Sequence, residues 1–269
     1  MVKALAIDID GTFLGNNGEF LQDNVEILRH LLSNGIKIVF ASGRTTTSIR
    51  KISRAICRRS IPLIAFNGAI LAIGSRKPVN IKFNGRTAAE VVERLLQKGI
   101  YVQAFINDNI IVSELSSEAV EYSLRSGTEL LVRKRLHRVV SITPPTKLLA
   151  RFNRDDFPML VDECSSTFDG IQFINEKPGV LEIFPEGVSK LSALKVFCTE
   201  NEISLSEIAA FGDGILDAEM IAHAGIGVAM GNASEEVMAV ADIVAPSNAE
   251  CGLYYSIREI ISSGHIELS

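Results

Sequence analysis

No apolar run in this 269-residue chain approaches the roughly 18 residues that a membrane-crossing helix needs. The start, Met1-Val2-Lys3-Ala4-Leu5, lacks the long apolar segment of a signal peptide. Cysteine is sparse: Cys57, Cys164, Cys198 and Cys251 are scattered, with no Cys-x-x-Cys pair, and no His-x-x-x-His accompanies them. That excludes the usual zinc spacings and a disulfide framework, and it fits small buried thiols in a reducing compartment. Positive charge is in deficit, with 27 Lys+Arg against 32 Asp+Glu and a net charge of -5. Non-specific nucleic-acid binding, which needs a basic surface, is therefore not expected. Internal repeats and low-complexity tracts are absent. What is present is ordinary globular composition, 47% apolar and 22% charged. The length suits one large domain or two modest ones, and lets about three quarters of the unfolded surface be buried. The expectation is a cytoplasmic protein without a nucleic-acid or membrane partner, its oligomeric state left open.

Along the chain, short apolar runs alternate with helical spacings. Lys3 to Ile9 reads as a strand, Val25, Leu28, Leu31 and Leu32 as a helix stopped by Gly35, and Ile36 to Phe40 as a second strand. Ala41-Ser42-Gly43-Arg44 then turns into a helix, and Leu63 to Phe66 is a third strand closed by Asn67-Gly68. This βα rhythm predicts right-handed crossovers and a parallel sheet covered on both faces. Near residue 80 the pattern changes. A helix over Thr87 to Lys98 is followed by strands at Tyr101 to Ile106 and Ile110 to Val112, joined by the hairpin turn Asn107-Asp108-Asn109. Lys147 to Phe152, a helix near Phe157 to Phe168, and strands at Ile171 to Ile174 and Val180 to Phe184 follow. Hairpins mixed with helices predict an inserted α+β unit at 81–184. After it the βα rhythm resumes, with a strand at Ile208 to Phe211, a helix from Asp217 to Ala224 and a strand from Gly225 to Met230.

The chemistry gathers where strands end, which is where open α/β sheets place ligands. Asp8-Ile9-Asp10-Gly11-Thr12 closes the first strand, and residues two apart in an extended segment point to one side. Two neighbouring carboxylates raise each other's pKa unless a cation lies between them, and a hard divalent ion such as Mg²⁺ satisfies them and also neutralises a phosphate. Asp8 is then a candidate nucleophile and Asp10 a candidate acid that protonates the leaving oxygen and activates water. A polar turn with a capping acid is the plainer alternative. Ser42 and Gly43 offer a hydroxyl and a backbone N–H for phosphate oxygens, or a simple helix cap. Lys190 opens a later helix and is a phosphate-neutralising cation or an ordinary surface charge. Asp213, between Gly212 and Gly214, and Asp217, one helical turn on, are candidate metal groups, with helix capping the alternative for Asp217.

Taken in order, these motifs resemble the haloacid dehalogenase-like phosphatase superfamily, and within it the Cof-type sugar phosphatases. Phe66-Asn67-Gly68-Ala69, Leu181-Glu182-Ile183 and Val228-Ala229-Met230-Gly231-Asn232-Ala233 are similar to Cof-type signatures. The resemblance implies a Rossmann-like catalytic core at 1–80 and 185–269, with 81–184 as a substrate-reading α/β cap. It implies Asp8 as nucleophile, Asp10 as general acid/base, and Ser42, Gly43 and Lys190 on the phosphate. Mg²⁺ would lie between Asp8, the backbone carbonyl of Asp10 and Asp213, with Asp217 in support. Arg44, at the core edge, and Asn67 are further candidates for contacting the substrate. Two positions depart from the pattern: Leu216 stands where Asn is usual, and Cys251-Gly252-Leu253 replaces Asp-Gly-Val. The expected activity is Mg²⁺-dependent hydrolysis of a small phosphorylated metabolite, a sugar phosphate or similar monoester. A phosphotransferase or mutase on the same aspartyl-phosphate, and a catalytically weakened phospho-ligand sensor, remain alternatives.

Overall fold

The strand β1 (Ala4–Ile7) has all four residues buried, the continuous apolar pattern of a parallel strand covered on both faces. It sits centrally in a sheet, between β2 (Lys37–Ala41) and β12 (Ile208–Gly212), both parallel to it. The computed structural model describes residues 1–58, 60–152, 161, 163, 164, 166–177 and 179–268. The chain divides into two compact units: one of 1–44, 49–78 and 189–269, the other of 45–48 and 79–188.

In the first unit α1 (Gln22–Ser33) joins β1 to β2, and α2 (Thr46–Ile56) precedes β3 (Leu63–Ala65). β4 (Ile70–Ala72) then folds back antiparallel on β3, a departure from the all-parallel sheet expected. The sheet runs in the order β14, β13, β12, β1, β2, β3, β4, where β13 is Ile226–Ala229 and β14 Ile243–Val244. Ala4 and Ala6 of β1 and Ala210 of β12 present small side chains, and the helix α6 (Lys190–Asn201) packs on them through Ala193, Leu194 and Phe197. The helices α7 (Ala218–His223), α8 (Glu235–Met238) and α9 (Gly252–Ser262) complete this unit. Register aligns the carboxyl ends of three strands, with Ile7 opposite Phe40 on one side and Phe211 on the other. Asp8, Ser42 and Asp213 follow at one sheet edge.

The second unit opens with the two-residue strand β5 (Val79–Asn80) and α3 (Gly85–Gln97), which Asn84 caps by accepting from the N–H groups of Arg86 and Thr87. β6 (Tyr101–Ile106) and β7 (Asn109–Val112) form the expected hairpin, with Asn107 and Asp108 both at positive φ. α4 (Ser117–Ser126), β8 (Leu130–Val132) and α5 (Leu136–Ile142) come next, none of them foreseen in the sequence. Then come β9 (Lys147–Arg151), β10 (Ile171–Lys177) and β11 (Val180–Pro185), in a sheet ordered β10, β11, β9, β6, β7, β8. One face packs on α3 and α5 through Val91, Val92, Leu95, Leu136 and Val140. The helix expected near Phe157 to Phe168 falls largely outside the described residues. All four cysteines are free, but only Cys164 and Cys198 are fully buried; Cys57 and Cys251 are half-exposed. No described helix is long and apolar enough to cross a membrane.

Candidate active site

Asp8 is the first residue beyond β1, and its N–H still donates to Phe211 O across the sheet at 3.0 Å, which fixes its backbone. The chain then turns sharply at Gly11, whose φ is +85°, a conformation that favours glycine. A side chain there would also be driven into Asp213, since a Cβ would lie 2.3 Å from its Oδ2. The turn therefore lets Asp213 fold in against the loop after β1. Thr12 completes this contact, its hydroxyl donating to Asp213 Oδ1 at 2.8 Å.

Lys190 enters from α6. Ser189 and Ser192 form a reciprocal cap at 3.1 Å that starts the helix and sets the lysine at its first position. The ammonium is buried between two carboxylates, 2.6 Å from Asp8 Oδ1 and 2.5 Å from Asp217 Oδ1. Asp217 uses its other oxygen to accept from the backbone N–H groups of Asp213 and Gly214, at 3.2 and 3.0 Å. One buried carboxylate thus ties Lys190 to the loop that carries Asp213.

Burial pushes the Asp8 carboxyl well above its ordinary range, with Lys190 pulling it back and Asp217 and Asp213 adding to the rise. Burial likewise raises Asp213 to about 6, against the lowering effect of the Thr12 hydrogen bond. On Lys190 burial opposes the charge, but Asp217 and Asp8 outweigh it and hold the lysine protonated. Oxygens of Asp8, Asp213 and Asp217 all lie within 4.8 Å of one another. Three carboxyl groups thus surround one ammonium, an excess of acidic groups over cations. A hard divalent cation suits this donor set in both charge and ligand type. Both oxygens of Asp217 are already engaged, so Asp8 and Asp213 are the carboxylates better placed to hold such an ion.

Asp10 is placed differently. Its side chain is 59% exposed and is gripped by Arg44, with Nε and one terminal nitrogen each 2.6 Å from a carboxylate oxygen. Arg44, foreseen as a substrate contact, here holds the foreseen acid. Ser42 is buried beneath it, its Oγ accepting from the Arg44 N–H at 3.3 Å. Asn67 is buried beside Gly43, where an added Cβ would come within 3.0 Å of its Oδ1. Phe66 and Asn67 both adopt left-handed backbone, with φ of +51° and +53°. Asparagine tolerates that region and phenylalanine does not, so the segment is strained. Phe66 N–H donates to Arg44 O and Asn67 N–H to Ser42 O, which holds the strained turn against the Ser42–Arg44 loop. Gly68 then passes so close to Ser189 that a Cβ would lie 2.1 Å from its carbonyl oxygen.

Three contributors escaped the sequence reading. Thr12 lay inside the motif with no role given to it. Asn232 donates to Gly11 O and accepts from Asn248 N–H, each at 2.9 Å, and Asn248 donates to Leu14 O at 2.9 Å. Together they brace the loop after β1. Asn232 belongs to the Met230-Gly231-Asn232-Ala233 signature, so a signal existed; Asn248 carried none. Leu216 is half-buried, and Cys251 sits at positive φ where α9 begins.

The family model for haloacid dehalogenase-like hydrolases matches residues 5–257. The crystal structure of TM0651 from Thermotoga maritima is 30% identical, with a TM-score of 0.89 over 97% of this chain and 98% of that one. The 5-amino-6-(5-phospho-D-ribitylamino)uracil phosphatase YcsE of Bacillus subtilis is 26% identical over 96% of this chain and 95% of its own length. Phosphatase YwpJ of the same organism is 24% identical over 97% of this chain and its entire length. This chain thus belongs to the haloacid dehalogenase-like hydrolases, as a Cof-type phosphatase.

Proposed function

We propose that the protein is a Mg²⁺-dependent phosphatase that hydrolyses a small phosphorylated metabolite, a sugar phosphate or similar monoester, through an aspartyl-phosphate on Asp8. The observation that carries this reading is the buried Asp8–Lys190–Asp217 chain beside Asp213. A buried carboxylate held at a strand end by a lysine is oriented for attack on phosphorus, and Lys190 works against the burial that raises its pKa. In the first step an Asp8 oxygen bonds to phosphorus, the bond to the leaving oxygen breaks, and that oxygen takes its electron pair and a proton from Asp10. In the second, water attacks the phosphorus, Asp10 accepts its proton, and Asp8 and inorganic phosphate are released. Asp8, the Asp10 carbonyl and Asp213 would hold Mg²⁺, which when bound supplies charge neutralisation for the carboxylates and the phosphate oxygens. Ser42, the Gly43 N–H and Lys190 would bind the phosphate, and Arg44 and Asn67 would contact the rest of the monoester.

The four motifs account for a phosphate, a metal and a leaving oxygen but offer little to recognise one metabolite. We therefore assign that task to the inserted segment, 81–184. The substrate named for the YcsE relative, a phosphorylated small molecule, supports a metabolite of that size. The test is phosphate release across a panel of phosphorylated metabolites with Mg²⁺ and with chelator. Release of free phosphate into water from at least one member, abolished by chelator, supports the reading. Transfer to a sugar hydroxyl, or activity undiminished in chelator, contradicts it.

A further inference from the structure

The sheet of the second unit ends on β8, which pairs with no further strand among the described residues. β8 runs parallel to β7, with Ile110 opposite Leu130 and Val112 opposite Val132. Glu129 O accepts from Ile110 N–H at 2.8 Å, and Arg133 N–H donates to Val112 O at 2.7 Å. The backbone groups of 129, 131 and 133 therefore turn toward β7, and those of Leu130 and Val132 turn off the sheet. Among the described residues their one partner is the Arg133 guanidinium, which donates to Val132 O. The strand is short and charged residues follow it, but it has no proline, and Val132 is 40% exposed.

We propose that a second copy of this chain pairs with this edge, β8 against β8, antiparallel about a two-fold axis at Leu131. The register follows from the residues. Centring on Leu131 sets Leu130 opposite Val132 of the other copy, twice, and both residues have outward backbone groups, so four N–H···O bonds can form. It also sets Glu129 opposite Arg133 of the other copy, twice, on the opposite side of the sheet from the Leu130–Val132 pairs. Neither Glu129 nor Arg133 has an ion-pair partner among the described residues. Shifting the centre to Leu130 would require Thr128, whose N–H and carbonyl already bond the hydroxyls of Ser126 and Ser123. Shifting it to Val132 would require pairing through residues 134 and 135, but the strand ends at Val132 and the chain turns into α5 at Leu136. α4 adds apolar surface on the Leu130–Val132 side: Tyr122 meets Phe105, which lies on that side, edge to face, and Val120 and Leu124 stay exposed one turn apart. A self-complementary edge with matched charges and apolar pairs is the signature of an isologous contact.

Sedimentation equilibrium of the whole chain, up to about 100 μM, tests this at the weak end of specific association. The parent is expected to dimerise reversibly. Glu129→Arg and Arg133→Glu, each setting like charges opposite one another twice, should each weaken the dimer roughly tenfold. The two together restore the opposite-charge pairs and should return the parent's affinity. Both positions are exposed, so the monomer's fold should be indifferent to either change. Hydrogen exchange gives an independent reading, with the Leu130 and Val132 amides protected more at high than at low concentration. A monomer at every concentration, a dimer indifferent to the single reversals, a double variant that stays weak, or edge amides equally exposed at both concentrations would each overturn the proposal.

Discussion

Replacing Asp217 by asparagine probes what holds the anionic site together. Asp217 Oδ1 accepts from the Lys190 ammonium and Oδ2 from two backbone N–H groups. Asparagine has the same shape but one accepting and one donating end, so either orientation sets its NH₂ against donors. Turned one way it confronts the ammonium, turned the other it confronts the Asp213 and Gly214 amides. Breaking a buried ion pair by removing one partner costs about 3–5 kcal/mol. At about 2–4 °C per kcal/mol for a chain of this size, Asp217→Asn should melt roughly 10 °C lower than the parent. Asp213→Asn is the contrasting case. Burial raises that carboxyl from 3.8 to about 6, so near neutral pH its charge works against the fold. Two units at about 1.36 kcal/mol each set the relief on neutralising it at no more than about 3 kcal/mol. Asp213→Asn should therefore melt at or above the parent in chelator, while losing both Mg²⁺ binding and turnover. Thermal unfolding of the three proteins in chelator decides the matter. Equal melting temperatures, or Asp213→Asn melting below Asp217→Asn, would refute the roles given to these two carboxylates.

Three further outcomes follow from the same geometry. The folded-state pKa of Asp213 is raised, so in chelator the native state takes up a proton before the unfolded chain does; stability contributed by this group grows as pH falls through about 6 and levels off near 3.8. Mg²⁺ must displace that proton, so calorimetric titration should show affinity falling as pH drops below about 6, and a pH-independent affinity from 5 to 8 would count against Asp213 as a ligand. Gly68→Ala adds a Cβ 2.1 Å from Ser189 O at a φ of +115°, and should destabilise by about 1–3 kcal/mol while loosening the start of α6; an unchanged melting temperature and kcat would show that the close approach is unimportant. Arg44→Ala frees Asp10 and should lower kcat/KM for an alkyl monoester by about tenfold or more while sparing p-nitrophenyl phosphate, whose leaving group needs no proton; equal losses on both would separate Arg44 from Asp10.

The positions of the candidate residues along the chain were legible in the sequence, as was the alternation of strands and helices that carries them. Asp8, Ser42, Asp213 and Lys190 stand directly after buried strands or at a capped helix start, positions marked by apolar runs and by Ser189. What could not be read was which way each side chain turns. Asp8 and Asp10 are two apart, and alternation in a strand predicts one shared side, but Asp8 is the last extended residue before a helical turn over Ile9–Phe13. The positive φ at Gly11 then carries the loop away, and Asp10 faces Arg44 instead. α4 escaped because Val120 and Leu124 are exposed while Ala119 and Ser126 are the buried residues, so no apolar stripe marks it. Its ends were readable in principle, from Ser116 as the cap and Gly127 at positive φ. Lys147 illustrates a different limit. It opens a strand of the inserted unit, yet its side chain is buried, ion-paired with Glu182 and set against the rings of Phe105 and Phe184.

The covalent step on Asp8 is the centre of this account, and an Asp10→Asn variant isolates it. With p-nitrophenyl phosphate the leaving group departs without a proton, so Asp8 should still be phosphorylated. Without a base to activate water the phosphoenzyme should then accumulate. Mixing that variant with p-nitrophenyl phosphate and Mg²⁺, then following nitrophenolate and mapping the phosphorylated peptide, is the most direct measurement. The account predicts a burst of about one equivalent per chain, followed by a stall, with the phosphate on Asp8. Linear release without a burst at the parent's rate, or a phosphate carried by any other residue, would contradict it.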